Sequence, residues 1–235
     1  MTAASATTCV VLAGGLGTRL RAAVADVPKC LAPVGSRTFL EIQVESLARA
    51  GVTDVVLSLG HLADLVVDAV ARTSLALPVR HVVERELLGT GGAIAHVLDS
   101  LGLDEVLVAN GDTYLDGDVH EMLAPLDRVG GELFRMAVVH VAERARFGGI
   151  EVDGNARVSG FREKGRAGPG LINAGLYRLC RGALPPARGA AYSLETDVLP
   201  ALAAVRSVSA SVIAGDFIDI GVPSDYFRFC EKHAG

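Results

Sequence analysis

Hydrophobic positions in the first half of the chain alternate between two periods. Short apolar runs, Cys9-Val10-Val11-Leu12, Asp54-Val55-Val56-Leu57-Ser58-Leu59, Val79-Arg80-His81-Val82-Val83 and Glu105-Val106-Leu107-Val108-Ala109, have the length of buried strands. Between the first two, Thr38 to Ala50 carries Leu40, Val44 and Leu47, with Phe39 and Ala48 beside them, at helical spacing before the stop signal Gly51. Further helices are predicted over Leu62–Arg72 and Ile94–Leu101. Strands alternating with helices imply βαβ units, so the expected class is α/β with a Rossmann-like, mostly parallel central sheet flanked by helices. Beyond about residue 131 the pattern changes. Phe134–Val141, Ile150-Glu151-Val152, Val158-Ser159-Gly160-Phe161 and Val208–Ile213 read as strands, with a tight hairpin at Asp153-Gly154-Asn155. Ser193 caps a short helix, and Ser224-Asp225-Tyr226 opens the last one. This second region is β-rich.

Composition narrows the function. The 235 residues, half of them hydrophobic, suit one domain over 1–235, with halves at about 1–130 and 131–235. A net charge of −5 gives no footprint for nucleic acid, so an anionic ligand must be held by local cations. No run approaches a membrane span of roughly 20 apolar residues. The N-terminus lacks the basic and apolar regions of a signal peptide, so a cytoplasmic protein is expected. Neither the cysteines (Cys9, Cys30, Cys180, Cys230) nor the histidines show metal-ligand spacing. The chain has 19 arginines but only three lysines, Lys29, Lys164 and Lys232. A compact ammonium is thus reserved for few places.

The first apolar run feeds Leu12-Ala13-Gly14-Gly15-Leu16-Gly17-Thr18-Arg19-Leu20. Glycines let backbone N–H groups curl round an anion, and Arg19 adds a forked cation suited to phosphate. Val27-Pro28-Lys29 supplies a second cation behind a rigid proline. The loop is neither a P-loop, lacking Gly-Lys-Ser/Thr, nor the dinucleotide fingerprint, since Leu20 stands where the third glycine belongs. Glycine needed only for a strand–helix turn remains the alternative, but Arg19 and Lys29 favour a nucleoside triphosphate cradle. Downstream, Glu84-Arg85-Glu86-Leu87-Leu88-Gly89-Thr90-Gly91-Gly92-Ala93 is expected as a loop opening the third helix, at the carboxyl ends of strands where ligands gather. Asn110-Gly111-Asp112 ends the fourth strand, placing a carboxylate beside a glycine.

In this order the motifs resemble the sugar-phosphate nucleotidyltransferases, which join a nucleoside triphosphate to a sugar 1-phosphate and release pyrophosphate. Gly14 to Leu20 with Pro28-Lys29 is similar to their signature, and the resemblance runs nearly end to end. Cys30 departs from it, where proline or alanine is usual. The resemblance implies a glycosyltransferase-A-like nucleotidyltransferase fold whose β-rich part binds sugar. It implies nucleotide contacts from Leu12, Ala13, Gly14, Gly15, Gly17, Thr18, Glu84, Gly89, Thr90 and Gly111, and Mg²⁺ ligands at Asp112 and Asp219, the latter in Phe217-Ile218-Asp219-Ile220-Gly221. Arg19, Lys29 and Lys164 would hold phosphates. Phe147-Gly148, Glu163-Lys164, Asn173-Ala174-Gly175 and Glu195 match the sugar-phosphate side. Simpler readings stand beside these: a solvated carboxylate at Glu84, an exposed ion pair at Glu163-Lys164, helix capping at Glu195 and Asp197.

At the base-reading position, a carboxylate accepts two parallel hydrogen bonds, matching guanine N1–H and the N2 amino group, so Glu84 favours GTP. Gly-Gly-Leu-Gly-Thr-Arg-Leu-Arg, Leu-Gly-Thr-Gly-Gly-Ala, Leu-Ile-Asn-Ala-Gly and Phe-Ile-Asp-Ile-Gly-Val-Pro-Ser-Asp-Tyr look most like the short D-glycero-α-D-manno-heptose 1-phosphate guanylyltransferases, with GDP-heptose as product. Hexose guanylyl-, uridylyl- or thymidylyltransferases, a non-catalytic nucleotide-sugar-binding regulator and an oxidoreductase are the rival readings. The expected partners are GTP and a sugar 1-phosphate, with no nucleic acid or membrane; homo-oligomerisation is left open.

Overall fold

The computed structural model describes residues 6–15, 20, 24, 27–186 and 191–233. The chain divides into two compact units. The first takes residues 1–87, 109–114 and 218–235; the second takes 88–108 and 115–217.

The first unit opens with β1 (Thr8–Leu12). The short strands β2 (Pro33–Val34) and β3 (Arg37–Thr38) lead into α1 (Phe39–Ala50). β4 (Asp54–Leu59), α2 (Ala63–Arg72) and β5 (Val79–Val83) follow. β1, β4 and β5 are parallel neighbours, Cys9 opposite Val55 and Val55 opposite Val79. Cys9, Val10, Val11, Val55 and Val56 have no exposed surface, as expected of parallel strands covered on both faces. α1 starts with a full capping box between Thr38 and Glu41 and ends at Gly51, left-handed at φ 104°.

The second unit contains α3 (Gly89–Leu101), most of β6 (Glu105–Asn110), the end of β7 (Thr113–Gly117), α4 (His120–Leu123) and β8 (Phe134–Val141). β9 (Gly149–Val152), β10 (Val158–Arg162) and β11 (Gly170–Cys180) come next. A π-helical turn, Leu194–Val198, capped by the Ser193 hydroxyl, runs into α5 (Leu199–Ala204) and β12 (Val208–Val212). Pairing here is mixed: β11 is antiparallel to both β8 and β9, β9 to β10, while β12 runs parallel to β8. The expected hairpin forms, with Asp153 accepting from the Asn155 and Arg157 amides.

β13 (Gly215–Asp219) and α6 (Pro223–His233) bring the chain back to the first unit. Ile218, Ile220, Tyr226 and Phe229 join Phe39, Ile42 and Tyr114 in one buried cluster, with Phe229 5.1 Å from both the Phe39 and Tyr114 rings.

One expectation is corrected. α3 begins at Gly89, so Gly89-Thr90-Gly91-Gly92 is its first turn and not a loop before a helix at Ile94. Glycine costs a helix about 1 kcal/mol per residue, but the Gly91 and Gly92 amides donate to the Tyr192 carbonyl, and a β-carbon on Gly91 would collide with the Tyr192 ring. Close packing outweighs propensity.

Candidate active site

β1 and β4 end at glycines, and Glu84 lies against both. A β-carbon on Gly14 or on Gly60 would stand 2.7 Å from Glu84 Oε1. The Glu84 amide donates to the Leu59 carbonyl, which anchors the residue directly after β5 at the carboxyl ends of these strands. Gly60, which no sequence motif singled out, leaves room for the Glu84 side chain. Its signal was a glycine closing a buried strand, the same signal that marked Gly14. Among the described residues no atom comes within 4 Å of a β-carbon built on Gly15. Leu12 and Ala13 end the strand, with the Ala13 amide donating to the Ser58 carbonyl. Leu16, Gly17, Thr18 and Arg19 lie outside the described residues.

Three charged side chains meet nearby in the same unit. Lys29 Nζ is 2.8 Å from Asp112 Oδ2. A β-carbon on Gly221 would lie 2.7 Å from Asp219 Oδ1, 3.1 Å from Lys29 Nζ and 3.2 Å from Asp112 Oδ2. Glycine at 221 is therefore what leaves room for the group. Each member is aimed by its own element. Pro28 precedes a 3₁₀ turn, Lys29–Leu31, that buries Cys30 and turns Lys29 outward. Burial pushes the Cys30 thiol up to about 12, so the residue that departs from the usual motif is a neutral core filler. At the end of β13, Ile218 and the following Ile220 are buried in the core, and the alternation of an extended chain sends Asp219 the other way. Asp112 follows Gly111, whose amide donates to the Leu12 carbonyl at 3.0 Å; a β-carbon there would collide with that oxygen. The Ile220 amide donates to the Asp112 carbonyl, tying the two aspartate segments together. Lys29 and Asp112 side chains keep 18% and 25% of their surface, enough for a ligand to reach while solvent screening is reduced.

The remaining candidates are in the second unit. Gly89, at φ 70°, leaves no room for a β-carbon against the Tyr192 carbonyl oxygen. The Thr90 hydroxyl donates to Glu195 Oε2 at 2.7 Å and accepts from the Leu194 amide. Ser193 also donates to Glu195 Oε2, so Glu195 serves as an internal tie between helix starts as well as a candidate for substrate. Asn173 donates to the Tyr177 hydroxyl and accepts from the Gly175 amide, at the bulge in β11. Gly148 faces the Arg162 carbonyl. Glu163 and Lys164 sit exposed in the turn after β10 and form no ion pair with each other among the described residues.

A family model described as nucleotidyl transferase matches residues 8–234. The chain belongs to this family. D-glycero-alpha-D-manno-heptose 1-phosphate guanylyltransferase of Campylobacter jejuni is 32% identical over 221 residues, covering 94% of this chain and 97% of its own length. The crystal structure of HddC from Yersinia pseudotuberculosis superposes with a TM-score of 0.84 at 33% identity, covering 96% of this chain and 99% of that one; a second structure of it is complexed with GMP-PN. Mannose-1-phosphate guanylyltransferase of Mycobacterium tuberculosis is 33% identical over 224 residues, but this chain spans only 62% of its length. The nucleotidyl transferase chain is accordingly α/β, a mostly parallel central sheet flanked by helices. Among its described residues no helix is long and apolar enough to cross a membrane.

Proposed function

We propose that this nucleotidyl transferase transfers the guanylyl group of GTP to D-glycero-α-D-manno-heptose 1-phosphate, giving GDP-heptose and pyrophosphate. The observation that carries the reading is the meeting of Lys29, Asp112 and Asp219 around Gly221. The match to the heptose enzyme along almost its whole length supports this substrate over the hexose phosphate of the longer relative.

In the proposed reaction a sugar-phosphate oxygen bonds to the α-phosphorus, the P–O bond to the β-phosphate breaks, and pyrophosphate leaves with the electron pair. A phosphate monoester, with a second pKa of about 6, is already ionised near neutral pH, so no general base is required. The protein's work is to bring two anions together and stabilise the charge that builds between them. The Gly14-Gly15 backbone, Gly17, Thr18 and Arg19 take the β- and γ-phosphates, Lys29 the α-phosphate, and Lys164 the incoming phosphate. Glu84 takes the guanine edge. Gly148, Glu163 and Asn173 serve the sugar. The hard oxygens of Asp112 and Asp219 suit Mg²⁺, which is commonly held by one or two carboxylates together with substrate phosphates and would supply positive charge at the α-phosphate. All four cysteines are free thiols, which suits work in the reducing cytoplasm.

Pyrophosphate release with Mg²⁺ tests this, with GTP, ATP, UTP, CTP and dTTP each offered with heptose, mannose and glucose 1-phosphates. Release with GTP and heptose 1-phosphate is expected. Release with a different pair replaces the substrates but keeps the chemistry; silence with all pairs, while GTP still binds, favours a regulator.

A further inference from the structure

Gln43 breaks the pattern of its helix. It occupies the buried stripe of α1 with Leu40, Val44 and Leu47, and is 4% exposed. Its Nε2 donates to the Asn110 carbonyl at 2.8 Å and to the Thr113 carbonyl at 3.1 Å, the two ends of the turn that carries Asp112. Among the described residues its Oε1 is buried with no hydrogen-bond partner. An unsatisfied buried acceptor is costly. The orientation is nevertheless forced: both facing groups are acceptors, and only the NH₂ end offers two donors. An apolar residue would fill the space without that unsatisfied oxygen, so packing does not explain the amide.

We infer that Gln43 is a positioning residue for the metal-binding aspartate. It clamps the 110–113 turn from behind while the Leu12 carbonyl, the Ile220 amide and Lys29 fix it on other sides. Asp112 then meets its cation without having to order its own backbone first. This rests on the proposed role of Asp112 as a ligand.

Mn²⁺, a paramagnetic substitute for Mg²⁺, is titrated by electron paramagnetic resonance into the GTP-saturated protein, comparing wild type, Gln43→Met and Asp112→Asn. Melting temperature and metal-free binding of a fluorescent GTP analogue are measured alongside. Gln43→Met, which keeps volume and loses both donors, is expected to weaken Mn²⁺ by about 10–100-fold, the usual effect of losing a residue that orients a ligand. Metal-free nucleotide binding stays unchanged, and turnover is largely restored at saturating Mg²⁺. A lowered melting temperature with wild-type Mn²⁺ affinity, while Asp112→Asn binds Mn²⁺ weakly, overturns the positioning role and leaves Asp112 as ligand. Wild-type affinity in Asp112→Asn overturns the ligand assignment itself. If Gln43→Met fails to fold, Gln43→Leu carries the same test: it also removes both donors and is expected to weaken Mn²⁺, and unchanged affinity there also overturns the proposal.

Discussion

A methyl group at position 111 has nowhere to go, because the Leu12 carbonyl occupies that space. Gly111→Ala must therefore push the turn off β1. The expected outcome is a loss of about 1–3 kcal/mol in urea unfolding, the range of overpacked sites, together with reduced pyrophosphate release as Asp112 shifts. Asp112→Asn keeps the shape and removes the charge. Its turnover should fall about 100-fold or more, in line with losing one electrostatic stabiliser of a transition state, while binding of sugar 1-phosphate by calorimetry changes little. Undiminished turnover in saturating Mg²⁺ would remove Asp112 from the mechanism. Lys29, Asp112 and Asp219 were readable as single residues in motifs. Gly221 and Gly60 were not singled out, because what they provide is the absence of a side chain facing residues distant in sequence.

The helices show how local chemistry and packing divide the work. α1 is specified locally: the Thr38 and Glu41 capping box starts it, a left-handed Gly51 ends it, and its apolar stripe was legible. Thr38→Ala should cost about 0.5–2 kcal/mol, seen as a lower denaturation midpoint with unchanged slope. What the stripe did not disclose was why Gln43 belongs in it, since its partners sit 67 and 70 residues away. α3 is the opposite case. Its first turn is rich in glycine and reads as a loop, yet the Tyr192 carbonyl and ring hold it helical. Gly91→Ala, which would stabilise a free helix by about 1 kcal/mol, is expected to lower the melting temperature here because the new methyl meets the Tyr192 ring.

Across the molecule, stability should depend on acid through Glu132. This carboxyl is almost fully buried, and burial alone would raise its pKa; donors from Arg135, Ser209 and the Asp127 amide outweigh that and hold it below the usual glutamate range. A group with a depressed folded pKa stabilises the fold in full above the unfolded value, about 4.3, and loses that contribution as pH falls through the folded value. The difference in melting temperature between wild type and Glu132→Gln should thus be large at pH 7 and shrink steadily below about pH 4; a pH-independent difference would contradict it. The hydrophobic pattern by itself determined the order β1, α1, β4, α2, β5 and the β-rich character of the chain beyond about residue 131, because burial on one or two faces writes directly into spacing. The motifs by themselves named the nucleotidyl transferase family. Only the tertiary structure decided that the last strand and helix rejoin the first unit, because that depends on Phe229 finding Phe39 and Tyr114. It alone also decided that Lys29, Asp112 and Asp219 share one space, since a charge cluster is set by how backbones approach across long separations, and no local sequence signal carries that distance.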